Sequence, residues 1–416
     1  MKRYGYLTRF LVIIVLLAGT LPAQVQLGGY LKSFVYPNLN SPYQLERLGM
    51  RLQLTLTRSF GDRAALFAAF DFNYDATQAT QEAWNTRQSG LTIYPVEAYL
   101  DLYFSWLDVR IGKQFIFWGT TDWINPTDNI NPWDYLNISA EIEDYRIPLW
   151  AAKANLYLGN WTIEGVWLPE FQPHQLTDPP NFDIRTVTPL PQLSYFQGGI
   201  RVQNQLWNIN FSFSYFQGYD KWPSYYVPPF QPMYRKILMF KKFYWTQIWG
   251  IDFVTTMGKL ALKGEMAYTS TTDKDGTDPA IRNPQFQSVL GLDYNVTDRL
   301  TLNLQWVQTR LFYYNRSLEV AAAQAMHRDV RSVPLSVEHA ASARVQWTPI
   351  DFLTLQIISV YNFRYGDFFV LPILSYDLAD GIRLYGGATF FSGPAYSTFG
   401  RSKDYSRAFV ELKFSF

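Results

Sequence analysis

The chain has no cysteine among its 416 residues. That excludes a disulfide framework and any thiolate metal site. Histidine is almost as scarce. His174, His327 and His339 are all there are, and no two stand at metal-ligand spacing. No Gly-x-Ser-x-Gly element occurs, so neither a zinc centre nor a serine-hydrolase triad is indicated, and no enzyme, cofactor or metal is expected. Charge of one sign is lacking too. Without Lys2, Arg3 and Arg9 the chain carries 33 basic against 35 acidic side chains, which gives no basic excess to hold nucleic acid. Long apolar runs are also missing. Leu11 to Leu17 is a short one, well under the ~20 residues a spanning helix needs, and no other segment is long and apolar enough.

That short run sits behind a basic start and ahead of Leu21-Pro22-Ala23. This is the layout of a secretory signal, expected over residues 1–23. What remains, 24–416, is either soluble outside the cytoplasm or crosses a membrane as strands. Aromatic residues make up 18% of the chain, which suits a protein with two membrane–water interfaces to line.

Period-two alternation decides between the two. In 46–57, Leu48, Met50, Leu52, Leu54 and Leu56 point one way, and Arg47, Gly49, Arg51, Gln53, Thr55 and Thr57 the other. The pattern runs for roughly ten residues, the length a tilted strand needs to cross a bilayer, where soluble strands average five or six. It recurs at 96–105, 150–158, 260–268 and 337–347. Lys153, Glu265 and Arg344 fall mid-strand, ruinous in a dry core without partners but natural on a wet lumen wall. His339 takes the lipid-facing register. The last residues, Val410-Glu411-Leu412-Lys413-Phe414-Ser415-Phe416, alternate in the same way and put Glu411 and Lys413 inside.

The connections alternate as well. Short turns fall near Gly61-Asp62, Trp106-Leu107, Gly159-Asn160, Trp207-Asn208, Met257-Gly258, Thr297-Asp298, Pro349-Ile350 and Ala379-Asp380. Longer ones lie near 37–45, 75–93, 119–148, 169–194, 220–242, 272–285, 314–335, 365–367 and 393–403, and hold most of the prolines. Eight turns and nine loops make an all-β, antiparallel, up-and-down transmembrane barrel of about 18 strands, or 16 if the first or eighth hairpin is misplaced. Both termini lie on the short-turn side, the periplasmic side of such barrels. Trp106, Trp161, Trp207 and Trp347 stand beside short turns and read as an aromatic girdle. Strand-like sequence begins at about Val25, which leaves no amino-terminal plug domain.

The third long loop is the distinctive one. Arg110-Ile111-Gly112-Lys113-Gln114 leads into Trp118-Gly119, then Asp122, and two Asn-Pro units at Asn125-Pro126 and Asn131-Pro132. Asx-Pro units fix turns, so 119–148 is expected to fold inward and narrow the lumen. Asp122, Asp128, Asp134, Glu141, Glu143 and Asp144 are its acidic candidates. Facing bases on the wall are Arg51, Arg110, Lys153, Arg201, Lys263 and Arg344. Opposed charges give a transverse field that orients polar solutes. The same carboxylates could instead pin the loop as structural pairs, or hold calcium, although no EF-hand spacing is present. In the fifth loop Tyr219, Trp222, Tyr225, Tyr226, Phe230 and Tyr234 interleave with Lys221, Arg235, Lys236, Lys241 and Lys242. An outer aromatic girdle with snorkelling lysines is the simpler reading there, and a mouth that stacks sugar rings the alternative.

The Arg-x-Gly-Lys-Gln strand followed by Trp-Gly, Asp and Asn-Pro units resembles a motif of outer-membrane barrels related to the alginate-export and porin-like families. The resemblance implies a porin or exporter in the outer membrane of a Gram-negative-type bacterium. It implies outer-membrane lipid, lipopolysaccharide and the barrel assembly machinery as partners, with Phe414 and Phe416 as the assembly signal. The function expected is passive transport of small polar solutes or saccharides. The alternative is a non-conducting barrel that binds or exports surface polysaccharide.

Overall fold

A computed structural model describes residues 25–416 except 42, 79–89, 138, 180–181, 190–195, 229–236 and 327. The expected signal segment, His327, and Phe230, Tyr234, Arg235 and Lys236 of the fifth loop lie outside the described residues.

Twenty-one strands follow in chain order. They are β1 (Val25–Pro37), β2 (Leu45–Phe60), β3 (Ala64–Asp75), β4 (Leu91–Tyr103), β5 (Leu107–Gln114), β6 (Leu149–Leu158), β7 (Trp161–Leu168), β8 (Phe182–Thr186), β9 (Gln197–Leu206), β10 (Ile209–Tyr219), β11 (Ser224–Tyr226) and β12 (Ile237–Lys242). Then come β13 (Trp245–Met257), β14 (Leu260–Thr271), β15 (Gln285–Thr297), β16 (Leu300–Leu311), β17 (Val337–Ile350), β18 (Leu353–Asn362), β19 (Asp367–Ala379), β20 (Ile382–Ser392) and β21 (Arg407–Ser415). Eighteen of them form one antiparallel sheet. It closes where β21 pairs with β1, Lys413 opposite Lys32 and Glu411 opposite Phe34. Beyond that register Gly29 and Phe416 exchange both backbone hydrogen bonds at 3.0 Å. Closure leaves no edge strand, the condition for a sheet to stand in hydrocarbon.

All eight short turns form. The seventh falls at Asp351-Phe352, slightly beyond Pro349-Ile350, because a bulge between Trp347 and Ile350 lengthens β17. The eighth long connection is four residues, 363–366, and is real. The third runs 115–148, four residues longer at its start, because β6 begins opposite Gln114. The fourth and fifth loops contribute β8, β11 and β12, which make a separate sheet on the long-loop side with β8 parallel to β12. The seventh carries α1 (Arg316–Ala325), whose Asn315 side chain caps the amides of Ser317 and Leu318.

The alternation sorts the two faces. Leu54, Ile111, Ile200, Ile251, Met266, Leu290, Leu304, Ile357 and Val410 are exposed on the outer surface, round the whole circumference. The intervening residues face in, and include the buried Lys32, Asp71, Asp252, Glu265, Asn303 and Glu411. His339 faces outward and packs on the ring of Trp306, which in turn meets Phe363. The lumen is not lined by polar groups throughout. On β1, β18, β19 and β21, Phe34, Ile358, Phe369, Leu371, Ile373 and Phe409 form an apolar inner wall. Loop residues Trp123 and Ala140 pack against it.

Candidate functional site

Loop 115–148 leaves the wall between β5 and β6 and makes contacts on the other sides of the barrel. Its base is apolar. Ile116, Trp118 and Ile130 pack on Leu149, Val166, Leu168 and Phe216 of the adjacent wall. Burying such side chains yields roughly 1.5–3 kcal/mol each, enough to hold a loop that has few ladder hydrogen bonds. The Asn-Pro units serve as internal struts. Asn131 accepts the Ile116 amide at 2.7 Å and donates to the Ile147 carbonyl at 2.7 Å, tying the two ends together. Asn125 accepts the Asp128 amide and donates to the Trp118 carbonyl.

The loop's first anchor is Glu265, on β14. One carboxylate oxygen accepts the amides of Thr120 at 2.5 Å and Thr121 at 2.6 Å and the Thr121 hydroxyl at 2.8 Å. The other accepts the Thr127 hydroxyl at 2.9 Å and amide at 3.3 Å. A buried carboxylate is thus satisfied by neutral donors. Gly119 makes this nest buildable. Its φ is +84°, and a Cβ there would stand 2.3 Å from the Asn125 side-chain oxygen and 2.6 Å from that of Glu265. Sequence reading placed Glu265 on the lumen wall, but nothing in it showed that the Thr-Thr pair after Trp-Gly would be its partner.

The second anchor lies across the lumen. Glu141 takes the ammonium groups of Lys32 at 2.7 Å and Lys413 at 2.6 Å, and the Tyr385 hydroxyl at 3.0 Å. Asp144 takes Lys32 at 2.5 Å and Arg51 at 2.6 Å. Lys32 also meets Glu411 at 3.3 Å, and Arg51 meets Asp71 at 2.7 Å. Burial works against the Asp144 carboxylate, but Lys32 and Arg51 outweigh it and hold the group at about 2. A third contact is Asp122, which meets Lys263 at 3.1 Å, Asn303 at 2.7 Å and Arg344 at 3.9 Å.

The expected residues therefore divide. Asp122, Glu141 and Asp144 meet Arg51, Lys263 and Arg344, together with Lys32 and Lys413, which the sequence reading did not single out as partners. Asp128 does not face the wall bases. It is buried against Arg146 of its own loop, at 2.5 Å. Asp134 accepts the Leu136 amide and the Asn137 side chain, stabilising its own turn. Arg110, Lys153 and Arg201 pair with wall carboxylates instead, Asp101 at 2.6 Å, Glu164 at 3.7 Å and Asp252 at 3.2 Å. Arg110 and Lys153 have their acids on the neighbouring strand, and Arg201 reaches Asp252 of β13 past Ser212 of β10, which accepts its Nε at 2.9 Å, so each is satisfied before the loop can reach it. The Glu143 side chain lies outside the described residues.

Above the loop, on the long-loop side, is a cavity of about 740 Å³. Its walls include Trp123, Trp133, Tyr135, His174, Trp222, Phe369, Phe391 and Phe399, with Arg146 and Lys221 among its polar groups. Arg146 is sandwiched between Phe117 and Trp133, 4.3 and 4.2 Å from their ring centres. His174 accepts the Trp133 amide at Nδ1 and packs on Trp222. Burial pushes its imidazole down to about 3, helped by nearby Lys221 and Arg282. Burial likewise pushes Lys221 down to about 8, against Asp220 and Asp128. Trp222, Lys221 and Lys241 depart from the snorkelling girdle expected of the fifth loop. Trp222 stacks on Tyr135 inside the mouth, Lys221 is buried with its ammonium on the Asn129 carbonyl at 2.5 Å, and Lys241 pairs with Asp178. The fourth and fifth loops brace each other through β8 and β12, while Tyr226 stays exposed with Lys242 over its ring.

A closed 18-stranded antiparallel barrel, apolar outside and crossed by its third long loop, is a porin-like barrel. The chain belongs to the DUF1302 family, described as a protein of unknown function, whose model matches residues 47–356. A comparison with curated protein sequences gives no match. Among solved structures it is similar to a loop-deletion mutant of OmpT, an outer membrane protein of Vibrio cholerae. That match has 10% identity and a TM-score of 0.45, and covers 95% of this chain and 99% of that one. It is also similar to a mutant porin of Rh. blastica, at 13% identity and a TM-score of 0.42, over 94% and 100% of the two chains. Neither likeness bears on what this chain carries.

Proposed function

We propose that this barrel is an outer-membrane channel that passes small polar solutes passively through a charged constriction formed by residues 119–148. One observation supports the reading above the others. The loop's carboxylates Asp122, Glu141 and Asp144 meet wall bases on separate sides of the lumen, so a solute passing the loop moves between fixed charges of both signs. Such a path favours polar solutes and rejects apolar ones. Below the loop a polar recess lined by Thr120, Thr162, Arg201, Gln203, Asn210 and Asp252 continues toward the short-turn side.

The orientation proposed has short turns in the periplasm and long loops outside, with Phe414 and Phe416 read by the assembly machinery and the outer band in contact with lipid and lipopolysaccharide. No enzymatic step is assigned. His174 accepts a backbone amide, and His339 faces outward against the ring of Trp306. The alternative, a non-conducting barrel that binds or exports surface polysaccharide, draws on the aromatic lining of the mouth. Recording from the folded barrel in planar bilayers separates the two. Discrete conductance steps support the channel, and a folded barrel that inserts without conducting would overturn it.

A further inference from the structure

The cavity above the loop has the size of a ligand site. At about 740 Å³ it falls within the roughly 300–1,000 Å³ of small-molecule sites. One side is built from Trp123, Phe369, Phe391 and Phe399, and three of those rings pack on each other at 5.1 to 6.4 Å. Those four rings carry one hydrogen-bonding group among them, the Trp123 indole N–H, so they favour the apolar part of a ligand over a hydroxylated one.

The other side holds two cations with donors to spare. Lys221 is 9% exposed. Its ammonium has three donors, and the carbonyl of Asn129 takes one of them. Among the described residues no carboxylate lies within ion-pair distance of it, while the other lining bases Arg146 and Arg282 have Asp128 and Asp220. Arg146 is held by its aromatic sandwich, and its buried Nη1 has no hydrogen-bond partner. Lys221 and Arg146 are brought together by adjacent residues, since Asn129 receives the first and Asp128 the second. An ammonium without a carboxylate partner and unfilled donors beside an aromatic wall fit one kind of ligand.

We propose that this cavity binds a small amphipathic carboxylate, its aromatic or alkyl body on the Trp123 and phenylalanine wall and its carboxylate on Lys221 and Arg146. Such a ligand supplies Lys221 with a carboxylate partner, and its apolar body replaces water that the wall holds poorly. The proposal goes beyond the channel reading and does not need it, because occupancy of the cavity and passage of ions are measured separately.

Calorimetric titration of the folded mature chain in detergent, corrected for empty micelles, tests it with three probes. 4-Phenylbutyrate is expected to bind, 4-phenylbutanol at least tenfold more weakly, and galacturonate no better than 4-phenylbutanol. Lys221→Met is expected to weaken 4-phenylbutyrate at least tenfold and to leave 4-phenylbutanol unchanged. Should that variant not fold, Phe391→Ala supplies the second arm, with a tenfold loss expected for 4-phenylbutyrate. Equal affinity for the acid and the alcohol overturns the proposal. So does galacturonate binding as tightly as 4-phenylbutyrate, or full affinity in whichever variant folds. A chain that binds 4-phenylbutyrate but conducts nothing would leave this site standing and remove only the channel.

Discussion

At the scale of single residues, Gly119 and His174 show how the loop is held. Gly119 sits at φ +84° with three side-chain oxygens crowding the space a Cβ would fill. Gly119→Ala is expected to cost about 1–3 kcal/mol through strain at a left-handed position, concentrated in the loop because the barrel ladder is untouched. Protease cleavage within 115–148 should then speed up in the folded barrel, and cleavage at the wild-type rate would show that the nest around Glu265 tolerates the methyl group. His174 gives a pH dependence of definite sign. Its Nδ1 must stay unprotonated to accept the Trp133 amide, and its folded-state value of about 3 lies below the ordinary 6.5. The unfolded or opened form therefore binds the proton more readily, so the stabilisation is complete above about pH 6.5 and is lost as pH falls toward 3. Asp144, lowered from 3.8 to about 2, acts in the same direction over a lower window. Acidification should loosen the loop in two stages, seen as a fall in the hydrogen-exchange protection factor, corrected for the intrinsic pH dependence of exchange, at Trp133 first and near Asp144 later. A protection factor at Trp133 that stays flat from pH 7 to 4 would sink the first stage.

At the scale of the element, the loop is a bridge with one anchor of neutral donors and one of ion pairs. Glu141→Gln with Asp144→Asn removes two negative charges from the second anchor and leaves Lys32, Lys413 and Arg51 facing the lumen with fewer partners. The expected outcome is a shift of reversal potential toward anion selectivity in a salt gradient, together with higher conductance as the loop detaches. Asp134→Asn should change neither, since that carboxylate serves only its own turn. An unchanged reversal potential in the double variant would place these groups outside the ion path. Much of this element was legible in the sequence, because Asn-Pro units and a run of acids are local signals. Its partners were not. Glu141 meets Lys413 272 residues further along the chain, and only closure of β21 on β1 brings them together. The apolar inner wall left a trace that alternation alone obscures. Phe368-Phe369-Val370-Leu371-Pro372-Ile373-Leu374 is apolar on both faces, the mark of a strand covered on both sides. Read with Phe34 and Phe409, it signals something other than water within that part of the lumen.

At the scale of the whole molecule, the barrel is turned inside out relative to a soluble protein. Its largest apolar surface is outside, and its buried charges are within. The strand count and the two faces were readable because period two and turn chemistry act over a few residues, whereas the contents of the lumen depend on contacts between distant strands. The inversion predicts opposite responses to the same substitution on the two faces. Leu304 is 54% exposed on the outside of β16, near the middle of that strand, while Gln287 lines the cavity from neighbouring β15. In water, arginine at an exposed site is harmless. In a bilayer, arginine at mid-depth on a lipid-facing strand costs about 2–4 kcal/mol, while lumen positions are spared. Leu304→Arg should therefore destabilise the barrel by about that amount in phospholipid vesicles, and Gln287→Arg by much less, read from denaturant unfolding followed by tryptophan fluorescence. The ring of Trp106, Trp161, Trp207 and Trp347, all exposed beside short turns, supplies an independent reading of depth. Quenching by lipids brominated near the headgroup should exceed quenching by lipids brominated at the chain ends for these four. If Leu304→Arg were neutral in vesicles, and those tryptophans quenched no more from the headgroup than from the bilayer centre, the outer band would not be the surface that meets lipid.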